Sequence, residues 1–323
     1  FRNISGSNQD ISEESAFASQ TRFRTCKMVV ATGFFDGVHL GHRFILRTLV
    51  EEAAARGDES MVVTFWPHPR NVLQDDARNL RLLTSMEEKK ALLKSIGVDH
   101  IEVLPFSKAF SRLTAEEYLK EYVIGKFGGN AILLGYDNRL GSDLCTPEQT
   151  AALAEKLGLD VIRPESYTAE GGIVVSSTKI RNALSSGDIV LANSMLGYDY
   201  KLFGVVVSGN RLGHTIGFPT ANMQLYEPLK LVPGNGVYLV KVETLGNVYD
   251  GMCNIGVRPT IGSGNTITIE TNIFDFDEDI YGLDIRVSFV CKIRDEVKFN
   301  DLSLLAAQLE KDREHCRNIL DKK

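Results

Sequence analysis

The hydrophobic pattern of the chain changes once, near residue 184, and this change constrains the fold more than any other feature. Up to that point, short apolar runs alternate with amphipathic stretches. The runs are Met28–Thr32, Met61–Phe65, Ile101–Leu104, Ala131–Leu134 and Leu159–Ile162, and the stretches are His42–Arg56, Met86–Ser95, Ala115–Phe127 and Pro147–Leu157. Such alternation is typical of a parallel sheet with crossover helices. We therefore predict an α/β domain in the first half.

Beyond about Ala183, strand-like runs follow one another closely, with Gly, Asn and Pro between them. They are Leu202–Ser208, Val237–Val242, Val248–Ile255, Ile267–Phe274 and Ile285–Lys292. This spacing predicts an antiparallel sheet or a small barrel. A helical connector, Asp188–Leu196, precedes the strands, and an amphipathic helix over about Asp301–Leu320 follows them. The predicted fold class is thus α/β plus all-β.

The length of 323 residues suits two domains at roughly 150 residues each. We expect a polar lead-in over residues 1–25, a first domain over 26–186 and a second over 187–323. The net charge is −6, and neither half is basic, which argues against a nucleic-acid polymer or an anionic membrane as partner. Whether the chain forms a homo-oligomer is left open.

Targeting and redox features favour the cytoplasm. No apolar run approaches the ~20 residues of a membrane span, and the polar segment Phe1–Glu14 lacks the apolar stretch of a signal peptide. The five cysteines are scattered without C-x-x-C spacing. Disulfide frameworks and zinc clusters are therefore disfavoured, and a reducing cytoplasm is expected.

A glycine-rich turn, Gly33-Phe-Phe-Asp-Gly-Val-His-Leu-Gly-His42, joins the first predicted strand to a helix. Its backbone N–H groups and the helix N-terminus attract phosphate. His39 and His42 lie three positions apart, so both rings can donate hydrogen bonds to one phosphate oxygen as charge develops there. The alternative, a structural turn with incidental histidines, is disfavoured because two of the six histidines fall here. The predicted nucleotide-binding residues are Gly33, Phe34, Asp36 and Gly41.

A second group of anion-binding side chains occurs in Ser176-Ser-Thr-Lys-Ile-Arg181. Hydroxyls at a helix start can cap it and bind phosphate, and Arg181 can bind a polyphosphate with two N–H groups. Alone, the segment would be predicted as an ordinary helix cap with a solvated arginine. Together with the glycine-rich turn in the same half, it predicts a triphosphate site that includes Ser177, Thr178 and Arg181.

A third segment, Ser208–Asn222, connects predicted strands of the second half. Its glycines at 209, 213 and 217 (Gly209, Gly213, Gly217) permit a tight loop around a nucleotide phosphate. Thr220 and Asn222 offer neutral oxygens, which suit Mg²⁺ when nucleotide phosphates and water complete its ligands. On this pattern alone, a structural glycine-rich hairpin is an equal alternative.

Several strings resemble the bacterial bifunctional riboflavin kinase/FMN adenylyltransferase (FAD synthetase) family, and the resemblance covers nearly the whole chain. They are GFFDGVHLGH at 33–42, TFWPHPRNVL at 64–73, RLLTSMEEK at 81–89, SSTKIR at 176–181 and the riboflavin kinase signature at 204–222. The resemblance implies a Rossmann-like HxGH nucleotidyltransferase domain followed by a Greek-key β-barrel kinase domain.

The resemblance also implies the chemistry. The second domain would phosphorylate riboflavin with ATP, and the first would transfer AMP from ATP to FMN, giving FAD and pyrophosphate. Both would use Mg²⁺, with Thr220 and Asn222 as metal ligands in the kinase. His39 and His42 would stabilise the transferring phosphoryl group, while Arg181 and the hydroxyls of Ser177 and Thr178 would hold the β and γ phosphates.

Further site residues follow from the resemblance; for Trp66, the chemistry of its flat ring suits a flavin but by itself makes a packing aromatic an equal alternative. Glu270 would orient the acceptor hydroxyl and take its proton, although the strand pattern by itself predicts a solvent-facing Glu. The implied flavin-binding residues are Trp66, Pro67, Pro69 and Asp137.

Three residues depart from the family pattern. Asn138 and Leu140 replace two aromatic residues in Gly135–Gly141, and Asn272 stands where the family often has His. The first two raise the alternative of a riboflavin kinase with a weakened adenylyltransferase domain. A non-catalytic flavin-binding regulatory module is a further alternative. A cytidylyltransferase-like enzyme with another acceptor shares the H-x-G-H string, but the kinase signature disfavours it.

Overall fold

The structure is a computed structural model that describes residues 27–73, 80–135, 139–164, 175–209, 212–259 and 265–322. By their contacts, the described residues form two compact units. The first unit runs to Leu80 and resumes at Glu87, and the second combines Arg81–Met86 with the chain from residue 175 onward. Our domain limits at residues 26, 186 and 187 stay a prediction, because units defined by contacts need not coincide with catalytic domains.

The first unit is built on a five-stranded parallel sheet in the order β3-β2-β1-β4-β5, as the sequence pattern predicts. Its strands are β1 (Met28–Thr32), β2 (Glu59–Trp66), β3 (His100–Pro105), β4 (Gly129–Leu133) and β5 (Asp160–Ile162). Its helices are α1 (Leu40–Arg56), α2 (Pro69–Leu73), α3 (Met86–Ile96), α4 (Ala115–Tyr118, continued as the π-helical Leu119–Lys126) and α5 (Pro147–Lys156), and Phe110–Arg112 forms a 3₁₀ turn.

Strand β1 lies at the centre of this sheet because it is apolar on both faces. Met28 and Val30 pack into one core with α4 and α5, whereas Val29 and Ala31 pack into the other with α1 and α3. Strands β2 and β3 extend the sheet on one side of β1, and β4 and β5 then extend it on the other. The strand order therefore reverses between β1 and β4. Ligands of open parallel sheets bind at the carboxyl ends of strands at such a reversal, which is where the turn after β1 lies.

The second unit is a closed six-stranded barrel in the order β10-β7-β6-β11-β8-β9, with helices around it. Its strands are β6 (Lys201–Val207), β7 (Ala221–Leu225), β8 (Gly236–Thr244), β9 (Asn247–Pro259), β10 (Asn265–Ile273) and β11 (Asp284–Arg294). Its helices are α6 (Ser177–Ser186), α7 (Ile189–Leu196), α8 (Leu212–Thr215) and α9 (Leu302–Leu320). The predicted barrel is confirmed, but the sequence pattern missed β7. That strand is short and carries the polar residues Asn222 and Gln224, so no apolar run marks it.

Helix α9 packs on the barrel, as expected for the amphipathic C-terminal stretch. Its buried Cys316 belongs to the cluster that contains Phe218 and Met252. A buried ion pair adds to this contact, because Arg294 of β11 donates two hydrogen bonds from Nε (2.9 and 3.0 Å) and one from a terminal nitrogen (2.8 Å) to the carboxylate of Asp312. Across the described ranges, no helix is both long enough and apolar enough to cross a membrane.

Candidate active sites

The turn between β1 and α1 has a backbone that side chains rarely adopt. Phe35 and Val38 have φ angles of 49° and 36°, and Gly37 has a φ of 81°. Non-glycine residues in this region cost of order 1–3 kcal/mol each and cluster at ligand-binding sites. Gly33 allows a close approach, since a Cβ there would lie 2.9 Å from the ring of Phe35. The turn therefore has a strained backbone of the kind that clusters at ligand-binding sites, which makes it a candidate site.

The two histidines of the H-x-G-H string lie together at the start of α1, as their spacing predicts. His39 is the N-cap, and its Nδ1 accepts a hydrogen bond from the backbone N–H of His42 at 3.3 Å. The two rings stack with their centroids 3.6 Å apart and their planes 15° apart. His39 is buried and His42 half-buried. Both imidazoles are therefore fixed at the helix N-terminus.

His42 is held as a neutral imidazole. Burial lowers its pKa well below 6.5, and the neighbouring charges of His39 and Lys89 lower the pKa further. The Nδ1 atom of His42 is buried and has no hydrogen-bond partner among the described residues. A neutral ring can donate from one nitrogen while the other accepts, so His42 has hydrogen-bonding capacity that the protein itself does not use.

Lys89 of α3 is a site residue that our sequence reasoning missed. It is 1% exposed, and its Nζ donates to the carbonyl oxygen of Phe34 at 2.7 Å and lies 3.8 Å from the centre of the Phe34 ring. Burial lowers its pKa to about 8, against the opposing attraction of Asp36. The sequence did contain a sign that Lys89 is buried, because Lys89 lies at helical spacing from Leu93 and Ile96 and so shares the apolar face of the helix with them.

The aromatic loop after β2 lies beside the same turn. The ring of His68 packs edge-on against Phe34, with centroids 3.7 Å apart. Trp66 and Pro69 are half-buried and Pro67 is exposed, so surface for a ligand is available on each. Asp137 and Asn138 lie outside the described residues. Leu140 is 8% exposed and packs in the core with Ala151, so this departure from the family pattern changes a packing position.

The predicted phosphate-binding residues of α6 lie in the second unit. Ser176 caps the helix, with its Oγ accepting from the N–H of Lys179 at 3.3 Å. Ser177 is half-buried and Thr178 is exposed. Arg181 is half-buried, and its Nε donates to the backbone carbonyl of Arg81 at 2.9 Å. This bond fixes one edge of the guanidinium group.

The predicted kinase residues converge in the barrel. Glu270 of β10 lies directly opposite Asn222 of β7 on one side and Asn254 of β9 on the other. Side chains of directly opposed antiparallel residues share a face, with Cβ atoms roughly 4.5–5.5 Å apart. Glu270, Asn222 and Thr220 all line one cavity of about 190 Å³. Its apolar walls include Phe218, Val237, Met252, Phe299, Leu305 and Leu309.

The glycines of the segment before β7 meet local steric demands. A Cβ on Gly209 would lie 2.2 Å from the amide nitrogen of Asn222, and one on Gly213 would lie 2.2 Å from the carbonyl oxygen of Phe218. Gly217 has a φ of 79°. Larger side chains at 209 and 213 would displace the segment that carries Thr220 and Asn222.

A second, larger cavity of about 360 Å³ adjoins the same segment and is also bordered by Thr220. His214, Ala221 and Tyr281 are among its lining residues. Asn272 is 7% exposed, and its Nδ2 donates to the carbonyl oxygen of Pro219 at 2.7 Å. The amide that replaces the family's frequent His thus holds the backbone next to Thr220.

Comparisons with known proteins match the two halves of the chain to two different family models. The family model described as FAD synthetase matches residues 22–179, and the model described as riboflavin kinase matches residues 196–320. A Bacillus subtilis relative, the bifunctional riboflavin kinase/FMN adenylyltransferase, is 38% identical over 294 residues, which are 90% of this chain and 92% of the relative. The Escherichia coli K12 protein of the same name is 37% identical over 289 residues, 88% of this chain and 90% of its own length.

A solved structure is similar over nearly the whole chain. It is described as a macrolide-efflux protein from Streptococcus pneumoniae, is 34% identical, and superposes with a TM-score of 0.85, covering 93% of this chain and 97% of the other. Both the order of the two family models and the extent of the curated relatives lead to one conclusion. The chain belongs to the bifunctional riboflavin kinase/FMN adenylyltransferase family.

Proposed function

We propose that the chain makes FMN and then FAD from riboflavin and ATP at two separate sites. The barrel phosphorylates riboflavin, and the N-terminal α/β domain transfers AMP from ATP to FMN with release of pyrophosphate. One observation carries this proposal: the paired imidazoles belong to the first unit, whereas Thr220, Asn222 and Glu270 line a cavity of the second. Two chemically different sets of groups therefore serve two reactions.

In the kinase reaction, Glu270 is the residue that receives the proton. The acceptor hydroxyl of riboflavin must lie near a carboxylate that can accept its proton as the oxygen attacks the γ-phosphorus of ATP. Glu270 borders the cavity of about 190 Å³, whose apolar walls suit a flat flavin ring. The bond from the γ-phosphorus to the bridging oxygen of ATP breaks, and ADP leaves with that oxygen.

ATP of the kinase reaction is assigned to the larger cavity of about 360 Å³. Thr220 borders both cavities, so this residue is common to the donor and the acceptor side. Gly209, Gly213 and Gly217 belong to the loop that we assign to the phosphates of this nucleotide, since a glycine-rich backbone can turn its N–H groups toward an anion.

Mg²⁺ fits the donor set of Thr220, which borders both cavities, and Asn222, which lines the smaller one. The hydroxyl of Thr220 and the side-chain carbonyl of Asn222 are hard oxygen donors of the kind that Mg²⁺ prefers. Among the described residues, no group of three or more His, Cys, Asp or Glu side chains could hold a metal by itself. We therefore expect nucleotide phosphates and water to complete the ligands. When bound, the ion offsets the charge of the polyphosphate.

In the adenylyl transfer, a phosphate oxygen of FMN attacks the α-phosphorus of ATP, and the bond to the β-phosphate oxygen breaks. His39 and His42 donate hydrogen bonds to oxygens on the α-phosphorus as charge develops. The unpartnered Nδ1 of His42 supports this role. The turn residues Gly33, Phe34, Asp36 and Gly41 contribute to nucleotide binding, and Ser177, Thr178 and Arg181 bind the β and γ phosphates that leave as pyrophosphate.

The flavin of the adenylyl transfer is assigned to the aromatic loop after β2. Trp66 offers a partly exposed ring for stacking, and Pro67 and Pro69 stiffen the loop on either side of His68. We retain Asp137 as a flavin-binding residue on the resemblance alone.

The site of action that we propose is the cytoplasm, where ATP is present and thiols stay reduced. Cys145, Cys253 and Cys316 are thiols that form no disulfide. Burial raises the pKa of Cys253 to about 12, which keeps this thiol protonated and unreactive.

The test is a time course of the protein with riboflavin, Mg²⁺ and ATP. We expect FMN to appear first and FAD to follow. His42→Ala should lower FAD formation by orders of magnitude and leave FMN formation unchanged, and Glu270→Gln should do the reverse. A wild-type protein that makes FMN but no FAD from saturating FMN and ATP would support the kinase-only alternative, which the departure at Asn138 motivates.

A further inference from the structure

The loop between β7 and β8 (Tyr226–Asn235) pairs with a segment from the first half of the chain, around Leu82. The N–H of Leu82 donates to the carbonyl of Leu229, and the N–H of Leu231 donates to the carbonyl of Leu82, both at 2.8 Å. Leu82 is 1% exposed. This loop belongs to the residues matched by the riboflavin kinase model, whereas residue 82 belongs to those matched by the FAD synthetase model. A kinase loop thus holds a piece of the adenylyltransferase sequence.

Lys230 is the side chain that secures this pairing. It is 5% exposed, and its Nζ donates to the carbonyl of Leu83 at 2.8 Å and lies 4.8 Å from the centre of the Tyr200 ring. The hydroxyl of Tyr200 in turn donates to the carbonyl of Leu231 at 2.6 Å. A buried ammonium is tolerated where it is hydrogen-bonded, so Lys230 fixes the backbone at Leu83, next to the paired Leu82.

The segment held in this way contacts Arg181. The carbonyl of Arg81 accepts the hydrogen bond from Nε of Arg181 at 2.9 Å, and the guanidinium of Arg81 donates to the carbonyl of Pro228 at 2.8 Å. The same loop also reaches the end of α6, because the N–H of Gly234 donates to the carbonyl of Leu184 at 2.9 Å. The helix that carries Arg181 is therefore fixed by this loop both directly and through Arg81.

We propose that Lys230, a residue of the kinase sequence, is a positioning residue for adenylyl transfer: it holds Arg81–Leu83 and through the Arg81 carbonyl orients the guanidinium of Arg181. The proposal rests on the proposed role of Arg181 in binding the phosphates of ATP. With Nε bonded to the Arg81 carbonyl, the two terminal nitrogens of Arg181 keep a fixed direction, which suits bidentate phosphate binding. If this segment were loosened, Arg181 would keep its positive charge, but its guanidinium would no longer be held in one orientation.

The test compares Lys230→Met with wild type in the full-length protein, using FMN and ATP for one reaction and riboflavin and ATP for the other. We expect the KM for ATP in FAD formation to rise about tenfold, the size of one charged hydrogen bond, while both KM and kcat of riboflavin phosphorylation stay within about twofold. Lys230→Arg keeps a cation and donors and should restore most of the lost affinity. Tyr200→Phe is a milder variant that should shift the same KM in the same direction.

Val242→Ala is the matched control for stability, because Val242 is a fully buried barrel residue of β8 outside this loop. It should lower the melting temperature without raising the KM for ATP in FAD formation. If Val242→Ala raised that KM as much as Lys230→Met does, the effect of Lys230 would be one of general stability and the proposal would be wrong.

A double-mutant cycle separates this proposal from the role of Arg181. Arg181→Ala should raise the KM for ATP in FAD formation, and adding Lys230→Met to it should change the KM no further, since both act through one guanidinium. Additive effects would overturn the positioning role. An Arg181→Ala protein with unchanged KM would show instead that Arg181 does not bind the substrate phosphates, and this inference would fall with that assignment.

Discussion

At the scale of single residues, a buried lysine secures the turn with the strained backbone. Lys89 lies against the carbonyl of Phe34, which also accepts a hydrogen bond from Thr64 Oγ1 at 3.2 Å. Two donors on one carbonyl fix the turn that carries Asp36 and precedes the histidines. Keeping an ammonium in this environment is unfavourable, as its pKa of about 8 indicates. A pKa that burial shifts in this way is typical of residues at functional sites.

Lys89→Met should raise the stability of the protein at neutral pH and lower FAD formation. The folded-state pKa of about 8 lies below the ordinary 10.5, so the unfolded chain binds more protons between these values. Wild-type stability therefore rises as pH increases from 8 toward 10.5, by up to about 3 kcal/mol from this group. Melting curves at pH 7 and 10 should show the advantage of the Met variant shrinking at the higher pH. A constant difference would contradict the buried-charge interpretation.

Thr220→Ala should weaken the use of ATP by the kinase alone. The substitution removes a hydroxyl that borders both cavities of the barrel, so we expect a higher KM for Mg-ATP in FMN formation and an unchanged rate of FAD formation from FMN. Thr266→Ala on β10 is the matched control, since that side chain is exposed and borders neither cavity. Equal effects of the two substitutions would argue against Thr220 as a metal ligand.

At the scale of secondary-structure elements, pairing between strands decides which side chains meet. Glu270 has an ordinary strand context in the sequence, and its importance there came from the family resemblance. The register of β10 against β7 puts Glu270 opposite Asn222, which lies 48 residues earlier in the chain. Helix α9 completes this site, because Leu305 and Leu309 form part of the cavity wall.

Asp312→Ala should loosen α9 from the barrel. Removing one partner of a buried ion pair leaves the other charge uncompensated and typically costs about 3–5 kcal/mol; the Arg294 side chain is 20% exposed, so we expect the lower end. The KM for riboflavin should rise because α9 borders its cavity, while FAD formation from FMN should not change. Lys241→Ala, which breaks an exposed ion pair with Asp250, should lower stability by less than about 1 kcal/mol. Chemical denaturation followed by both activity assays would compare the two variants.

At the scale of the whole molecule, the two proposed sites have one intermediate in common, and we expect it to be released from the protein. FMN is the product of one reaction and the acceptor of the other. A mixture of His42→Ala and Glu270→Gln proteins, each unable to convert riboflavin to FAD, should therefore form FAD, because free FMN passes from the first variant to the second. Chromatography of the flavins would measure this. No FAD from the mixture, with each variant folded and active in its remaining reaction, would contradict separate and independent sites.

Family membership favours the bifunctional enzyme over the other functions that the sequence left open. The curated relatives span about 90% of the chain, so the two halves match together. Of the two departures that raised doubt about adenylyl transfer, Leu140 lies in the core and Asn138 lies outside the described residues. The departure at Asn272 has a structural role, since its amide holds the carbonyl of Pro219.

The sequence by itself determined the two fold classes, because the period of its apolar residues differs between the halves. It also determined the positions of the glycine-rich turns, because glycine and histidine spacing is local. Only the tertiary structure decided which distant residues act together. The burial of Lys89 under Phe34, the pairing of Glu270 with Asn222, and the contact from Lys230 through residues 81–83 to Arg181 each depend on packing and register between segments far apart in the chain. Local sequence patterns do not encode such register, since it emerges when whole elements bury their apolar faces together.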